Sequence, residues 1–295
     1  MQISGKILKT QTEDGLELDA ILFEPSKRSD VIVIHFHGKE GDFLQNHFIQ
    51  NMADEYPKNN YAFMTASHRG KSYIADFLRK SATGYEYTQL GSAYDIFENC
   101  LYDIDAWLKL ALRLGYKTVF LQQHSTPHKI LWYVYKKHPE SVKGLILISP
   151  ADIGYSFEAY VPNHEKNLIL ANKLVKSGKA KQLMPVNLWS NCPVSAGVYL
   201  NWGSPNSNFQ ILNYHHPERG FGYYRKITLP MLAVIAEFDF SVGDPPEICM
   251  QLLEKNTSSY DFQSAVIKHA HHSYLGYEDK LTKTITDWLK TREIT

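Results

Sequence analysis

The sequence predicts an α/β fold: a mostly parallel, doubly wound sheet with an N-terminal β-hairpin at its edge and an insertion that caps one end. Three observations predict it. Short, nearly continuous apolar runs recur along the chain, and such runs mark strands covered on both faces. Helical patterns lie between them, and strand–helix alternation builds parallel βαβ units. The chain has 295 residues and no low-complexity break. That length suits one large α/β domain or two small ones with a sizeable buried core.

Residues 1–25 alternate apolar and polar around "EDG", a hairpin signature. The apolar runs that follow are "VIVIHF" (31–36), "YAFMTA" (61–66), "TVFLQ" (118–122), "GLILIS" (144–149), "MLAVIA" (231–236) and "SAVIK" (264–268). Helical patterns occupy about 43–56, 93–115, 128–138, 245–255 and 277–291. Residues 151–228 break the rhythm. They hold a helix near 165–178 and then loops rich in Asn, Pro, Gly and aromatic residues. The core is therefore expected at 1–150 and 229–295. The insertion is expected to cap a site, because it falls at the strand ends where open α/β sheets bind ligands.

Lys+Arg and Asp+Glu are both 31, so the formal charge is zero, and 44% of residues are hydrophobic. A neutral chain argues against nucleic acid or an anionic membrane as the main partner and leaves a small molecule. Cys100, Cys192 and Cys249 are widely spaced and odd in number. They form neither a disulfide framework nor a zinc site, and they read as buried thiols of a reducing compartment. "MQISGKILKT" lacks the apolar core of a signal peptide, and no apolar run approaches membrane-spanning length. A cytoplasmic protein without cofactor or metal is expected.

Ser125 stands between the apolar run "TVFLQQ" and the helical pattern "HKILWYVYKK". A serine at such a strand-to-helix bend has the context of a nucleophile elbow. Its Oγ would rise at the carboxyl edge of the sheet, facing the positive end of the helix. The turn reads Gln-His-Ser-Thr-Pro, with Gln123 and Pro127 at the two positions usually held by glycine. Gln123 must place a long side chain where there is little room, tucked behind the elbow or turned toward the cap. Pro127 suits the start of a helix.

A hydroxyl nucleophile needs a base, and the base needs an orienting carboxylate. "MLAVIAEFDFSVG" places Asp239 just past a strand, with Glu237 as a rival still within it. "SAVIKHAHHSYLG" supplies His269, His271 and His272 past the final strand. His272 is preferred, since it sits at the outer edge of the loop before the closing helix. The order Ser, Asp, His is the one this sheet type requires. In "VIVIHFHGKEGDF" the strand ends at His37-Gly38, ahead of a loop and a helix from about Phe43. The Lys39 and Thr126 N–H groups are the candidate oxyanion donors. His35 and His37 are expected to be structural. "ASHRGKSY" places Arg69 and Gly70 where they could brace the oxyanion loop or line the site. Gly38, Arg69, Tyr155, Trp189 and Trp202 are the expected substrate-binding residues.

On these residues the chain resembles the α/β-hydrolase superfamily along nearly its whole length. The resemblance rests on "HFHGKEG", "LQQHSTPHKILWY", "AEFDFSV" and "KHAHHSYLG". More narrowly, "SHRGKSY", "SAYDIFENCLYDIDAWL" and "GLILISPAD" resemble a group that includes siderophore esterases. The resemblance implies Ser125 as nucleophile, Asp239 as acid and His272 as base. The expected activity is hydrolysis of an ester, lactone or thioester of a bulky, partly apolar small molecule. The alternatives are an acyltransferase or cyclising thioesterase with the same triad, and a ligand-binding protein without turnover.

Overall fold

In the computed structural model, residues 4–189 and 191–292 are described. The chain begins with β1 (Lys6–Gln11) and β2 (Glu17–Phe23), an antiparallel hairpin whose first strand is the sheet edge. Residues 1–3 of the expected hairpin lie outside the described residues. β3 (Val31–Phe36) and β4 (Ala62–Ala66) follow, separated by α1 (Phe48–Lys58). The expected helix from about Phe43 therefore starts five residues later. Residues 43–47 instead form the loop that lines the functional end of the sheet, with Leu44 N–H held by Asp42 Oδ1 at 2.9 Å.

β5 (Ala75–Ser81) and β6 (Gly84–Leu90) form a separate two-stranded antiparallel sheet that the sequence reading did not anticipate. It is fastened to the turn of the first hairpin, where Lys80 N–H donates to Gly15 O at 2.9 Å. After it come α2 (Cys100–Arg113), β7 (Thr118–His124), α3 (His128–Lys137) and β8 (Val142–Ile148). α2 is shorter than the expected 93–115, because residues 91–96 are irregular and a 3₁₀ turn spans Phe97–Asn99.

The stretch between β8 and the next strand holds three helices rather than one: α4 (Ile153–Tyr160), α5 (His164–Lys176) and α6 (Ala196–Gly203). α4 and α6 bury residues on most sides, including Ile153, Phe157, Tyr199 and Trp202. Helices of that kind have no polar face to announce them. The chain closes with β9 (Met231–Phe238), α7 (Pro246–Asn256), β10 (Phe262–His271) and α8 (Glu278–Lys290).

The main sheet runs β1-β2-β4-β3-β7-β8-β9-β10, parallel from β4 to β10 and antiparallel where β2 meets β4. Its alternating side chains build a core on each face. From β3, Ile32 and Ile34 point to one core with α2, α3 and the insertion, while Val33 points to the other with α1 and α8. β3 leads through α1 to β4 on one side, and β7 flanks it on the other. Strand order reverses there, so a crevice opens at the carboxyl ends of β3 and β7. Among the described residues no helix is long and apolar enough to cross a membrane.

Arg69 is buried behind that edge and corrects its expected role at the site. Its guanidinium donates to Asp103 at 2.8–3.1 Å and to Asp14 at 3.0 Å, and its own N–H donates to Asp103 Oδ2 at 3.0 Å. It joins the hairpin turn, the loop after β4 and α2 into one unit. Asp103→Ala leaves this cation short of its buried partner. The expected result is a stability loss of about 3 kcal/mol, read as a lowered urea midpoint at unchanged slope.

Candidate active site

The carboxyl ends of five strands converge on a cavity of about 330 Å³. β3 delivers Gly38, Lys39 and Glu40; β7 delivers His124, Ser125 and Thr126; Ala151 and Ile153 follow β8; Phe240 and Ser241 follow β9; His272 follows β10. Trp189 and Ser156 come from the insertion, and Gln45 and Asn46 from the loop ahead of α1. A larger cavity of about 540 Å³ lies near the start of β8 and β9, lined by Val142 and Pro230. Open parallel sheets bind ligands at the carboxyl ends, so the smaller cavity is the candidate site.

Ser125 sits at the bend between β7 and α3 with φ +65°, a left-handed conformation rare for a non-glycine residue. Two backbone bonds hold it there: its N–H donates to Ile148 O at 2.8 Å, and its carbonyl accepts from Ala151 N–H at 3.0 Å. Gln123 is fully buried behind the bend. Its Nε2 donates to His37 O at 3.3 Å and reaches Thr126 Oγ1 at 3.5 Å. Pro127 opens α3 with φ −63°. Gly38 faces the bend so closely that a Cβ there would lie 2.9 Å from Ser125 Cβ and 3.2 Å from His124 O. The close approach is what requires glycine at 38.

Asp239 and His272 are joined by a 2.8 Å bond from His272 Nδ1–H to Asp239 Oδ1. Ser241 adds two bonds to the same oxygen, from its N–H at 3.0 Å and its Oγ at 2.7 Å. Burial raises the Asp239 carboxyl, but the His272 imidazole and its hydrogen bond outweigh this and hold it below the usual carboxylate range. A proton on Nδ1 leaves His272 Nε2 as the free basic nitrogen. Neither Nε2 nor Ser125 Oγ makes a hydrogen bond with another described residue, and both residues line the cavity.

Glu237 remains in β9, where it accepts from His269 N–H at 2.7 Å and pairs with Lys268 at 3.1 Å. The final strand runs on to His271, so His269 and His271 belong to its end rather than to the loop beyond it. The pairing of β10 with β9 is interrupted between Ile267 and His271, with His269 at φ +66°. That irregularity delivers His272 to the cavity.

His124 carries a role the sequence reading missed. Its Nε2–H donates to His272 O at 2.9 Å, and the two rings lie 4.7 Å apart. Burial, reinforced by the neighbouring His272, lowers its pKa to about 3, so it braces the His272 loop as a neutral ring. The signal was the histidine preceding Ser125, which the spacing alone could not connect to position 272. Ser241 was equally unforeseen, though its place two residues after Asp239 is that of an Asx-type turn.

The loop carrying Gly38 is anchored from below. Lys129 Nζ, buried in α3, forms an ion pair with Asp95 and donates to His68 Nδ1 at 3.2 Å. His68 Nδ1 also accepts from Gly70 N–H at 3.0 Å, so its proton is on Nε2, which donates to His37 O at 3.2 Å. His37 stacks on His68 at 3.9 Å and donates from Nδ1 to Gly38 O at 2.7 Å. Both histidines are held neutral by burial, His37 at about 3. His35 is fully buried in β3. The Lys39 N–H makes no hydrogen bond with another described residue, whereas Thr126 N–H lies against His124 O at 2.7 Å.

Of the expected substrate-binding residues, Gly38 and Trp189 line the cavity. Trp202 does not. It is fully buried, with its Nε1–H on Asp95 O at 3.0 Å and Lys39 Nζ 4.1 Å from its ring. Tyr155 does not line it either, since it packs on Tyr160 at 5.9 Å and His215 at 5.2 Å. Both corrections have one cause. The insertion's aromatic residues largely pack on one another, as Trp202 does on Phe209 at 4.0 Å. Among the described residues no group of three or more His, Cys, Asp or Glu is placed to hold a metal ion.

No family model matches the sequence, and no curated protein matches it. Solved structures do. A siderophore hydrolase, EstB from Aspergillus fumigatus, is 15% identical and superposes with TM-score 0.67, covering 98% of each chain. The α/β hydrolase GrgF from Penicillium sp. sh18 is 14% identical at TM-score 0.69, covering 98% of this chain and 99% of that one. A soluble variant of monoglyceride lipase from Saccharomyces cerevisiae is 14% identical at TM-score 0.65, covering 100% and 99%. The chain therefore has the α/β-hydrolase fold.

The buried neutral histidines set a pH dependence. His37, His124 and His128 have folded pKa values of about 3, against an ordinary value of 6.5, with burial as the main cause. Below pH 6.5 the unfolded chain binds protons that the folded chain refuses, so stability is lost as pH falls from 6.5 toward 3. Each such histidine adds about 1.4 kcal/mol per pH unit over that window. His128→Phe, packed on Phe209 and carrying two unpaired ring nitrogens in the wild type, is expected to flatten the slope of urea-derived stability between pH 7 and 5.

Proposed function

We propose that this chain is a serine hydrolase that cleaves a carboxylic ester through an acyl-enzyme on Ser125. The observation that carries the reading is the pairing of half-buried His272 with buried Asp239 at 2.8 Å, with its free nitrogen on the cavity that Ser125 also lines. His272 Nε2 would take the Oγ proton as Oγ bonds to the substrate carbonyl carbon. Asp239 would hold the resulting imidazolium, a role its depressed pKa suits. The Lys39 and Thr126 N–H groups would receive the oxyanion, the latter turning from His124 O. His272 then returns the proton to the departing alcohol, and water, deprotonated in its turn by His272, releases the acid.

The ester is a small molecule. A cavity of about 330 Å³ is at the lower end for such sites, which favours a compact substrate with one apolar arm over the bulky one expected from the sequence. Trp189, Ile153 and Phe240 offer that arm a surface, and the insertion bearing Trp189 acts as the cap. The three buried free thiols support a reducing, cytoplasmic setting. The siderophore hydrolase and the lipase among the structural neighbours support ester hydrolysis as the reaction class.

Reaction with a fluorophosphonate probe tests the nucleophile. Wild type is expected to label and Ser125→Ala to remain unlabelled; equal labelling of the two ends the assignment. Asp239→Asn tests the orienting acid. A fall of about 10³-fold or more in kcat on a p-nitrophenyl ester, with the fold kept, is expected.

A further inference from the structure

Glu40 lies two residues beyond Gly38, on the rim of the same cavity. Its backbone is left-handed at φ +49°, an arrangement that costs energy for a non-glycine residue and clusters at ligand sites. The Trp189 indole and the Cys192 thiol bond its carboxyl, which leaves one of the two oxygens spare. Oε2 is buried without a hydrogen-bond partner, and no cation pairs with Glu40 among the described residues. A buried acceptor left unpaired costs free energy that a bound donor would restore. The nearest cation, Lys39, is engaged elsewhere: Nζ donates to Ser92 O at 3.0 Å and lies over the Trp202 ring. Burial raises the Glu40 pKa, partly offset by Lys39, the Trp189 indole and the Cys192 thiol.

We propose that Glu40 is a specificity-determining residue of this pocket, and that the substrate is an ester carrying a neutral hydroxyl within reach of its carboxyl. The inference rests on the hydrolase reading of the site and adds the chemistry of what it selects. A hydroxyl can donate to the carboxyl oxygen in either of its protonation states. An ammonium group would satisfy the same oxygen but would meet the neighbouring Lys39 charge. Gln45 and Asn46 on the same rim provide amides that can bond the hydroxyl oxygen. Sites built to pair with a substrate hydroxyl discriminate strongly against analogues that lack it.

The test uses p-nitrophenyl esters in matched sets: butanoate, its 2-hydroxy and 3-hydroxy forms, and 3-aminobutanoate. Wild type is expected to favour at least one hydroxy ester over butanoate by about tenfold or more in kcat/KM. Glu40→Leu is expected to bring that ratio near one, and Glu40→Gln, which keeps an acceptor, to retain part of it. Equal use of butanoate and both hydroxy esters by wild type overturns the inference. So does a preference for the amino ester, or an equal loss on all esters in Glu40→Leu. The same set is titrated calorimetrically against Ser125→Ala, with and without the Glu40 substitutions. This reads the hydroxyl preference from binding alone. Absence of turnover therefore counts against the hydrolase reading, while absence of any hydroxyl preference in binding counts against Glu40.

Discussion

The left-handed backbone at Ser125 is the constraint on which the rest of the site depends. A strand must stop, turn sharply and become a helix within a few residues, with a side chain left standing at the summit. That conformation costs about 1–2 kcal/mol for a residue with a Cβ. It persists because β8 and the chain beyond it grip both sides of the peptide, through Ile148 O and Ala151 N–H. The same grip sets where the insertion leaves the sheet. Gly38 must then yield space to the bend, which fixes the position of the neighbouring loop.

The usual glycines beside such a serine are absent, and the structure accommodates the replacements by different means. Pro127 starts α3, where its missing N–H removes nothing the helix needs. Gln123 turns its amide inward, onto His37 O and Thr126. A residue that would crowd a tighter turn becomes a strut between the bend and the loop carrying Gly38. Its Oε1 stays unpaired, so the arrangement is not fully satisfied.

Charge is segregated beneath the cavity. Arg69 with Asp103 and Lys129 with Asp95 are buried as pairs, since lone buried ions are prohibitively costly. The histidines among them are held neutral and serve as directional hydrogen-bonding rings. Asp239 is the contrasting case: a buried carboxylate kept ionised by the histidine it orients. The result is a charge-balanced floor beneath the cavity that His272 and Ser125 line.

Much of this was legible in the residues. Continuous apolar runs disclosed the parallel strands because burial on both faces leaves no polar alternation. The order of Ser125, Asp239 and His272 followed from strand ends, because each of these residues immediately succeeds a strand. Patterns that depend on exposure were harder to read. The β5–β6 hairpin and the short helices α4 and α6 have no apolar stripe, so nothing periodic marks them. The aromatic residues of the insertion were equally ambiguous: Trp189 and Trp202 are alike as letters, but only the fold turns one toward the cavity and the other into its own core. Tertiary structure alone decided that Arg69 serves Asp103, that His124 braces His272 across 148 positions, and that Glu40 keeps an unpaired oxygen at the rim. Local sequence sets where a chain can bend and what it must bury; which distant groups then meet is decided by packing.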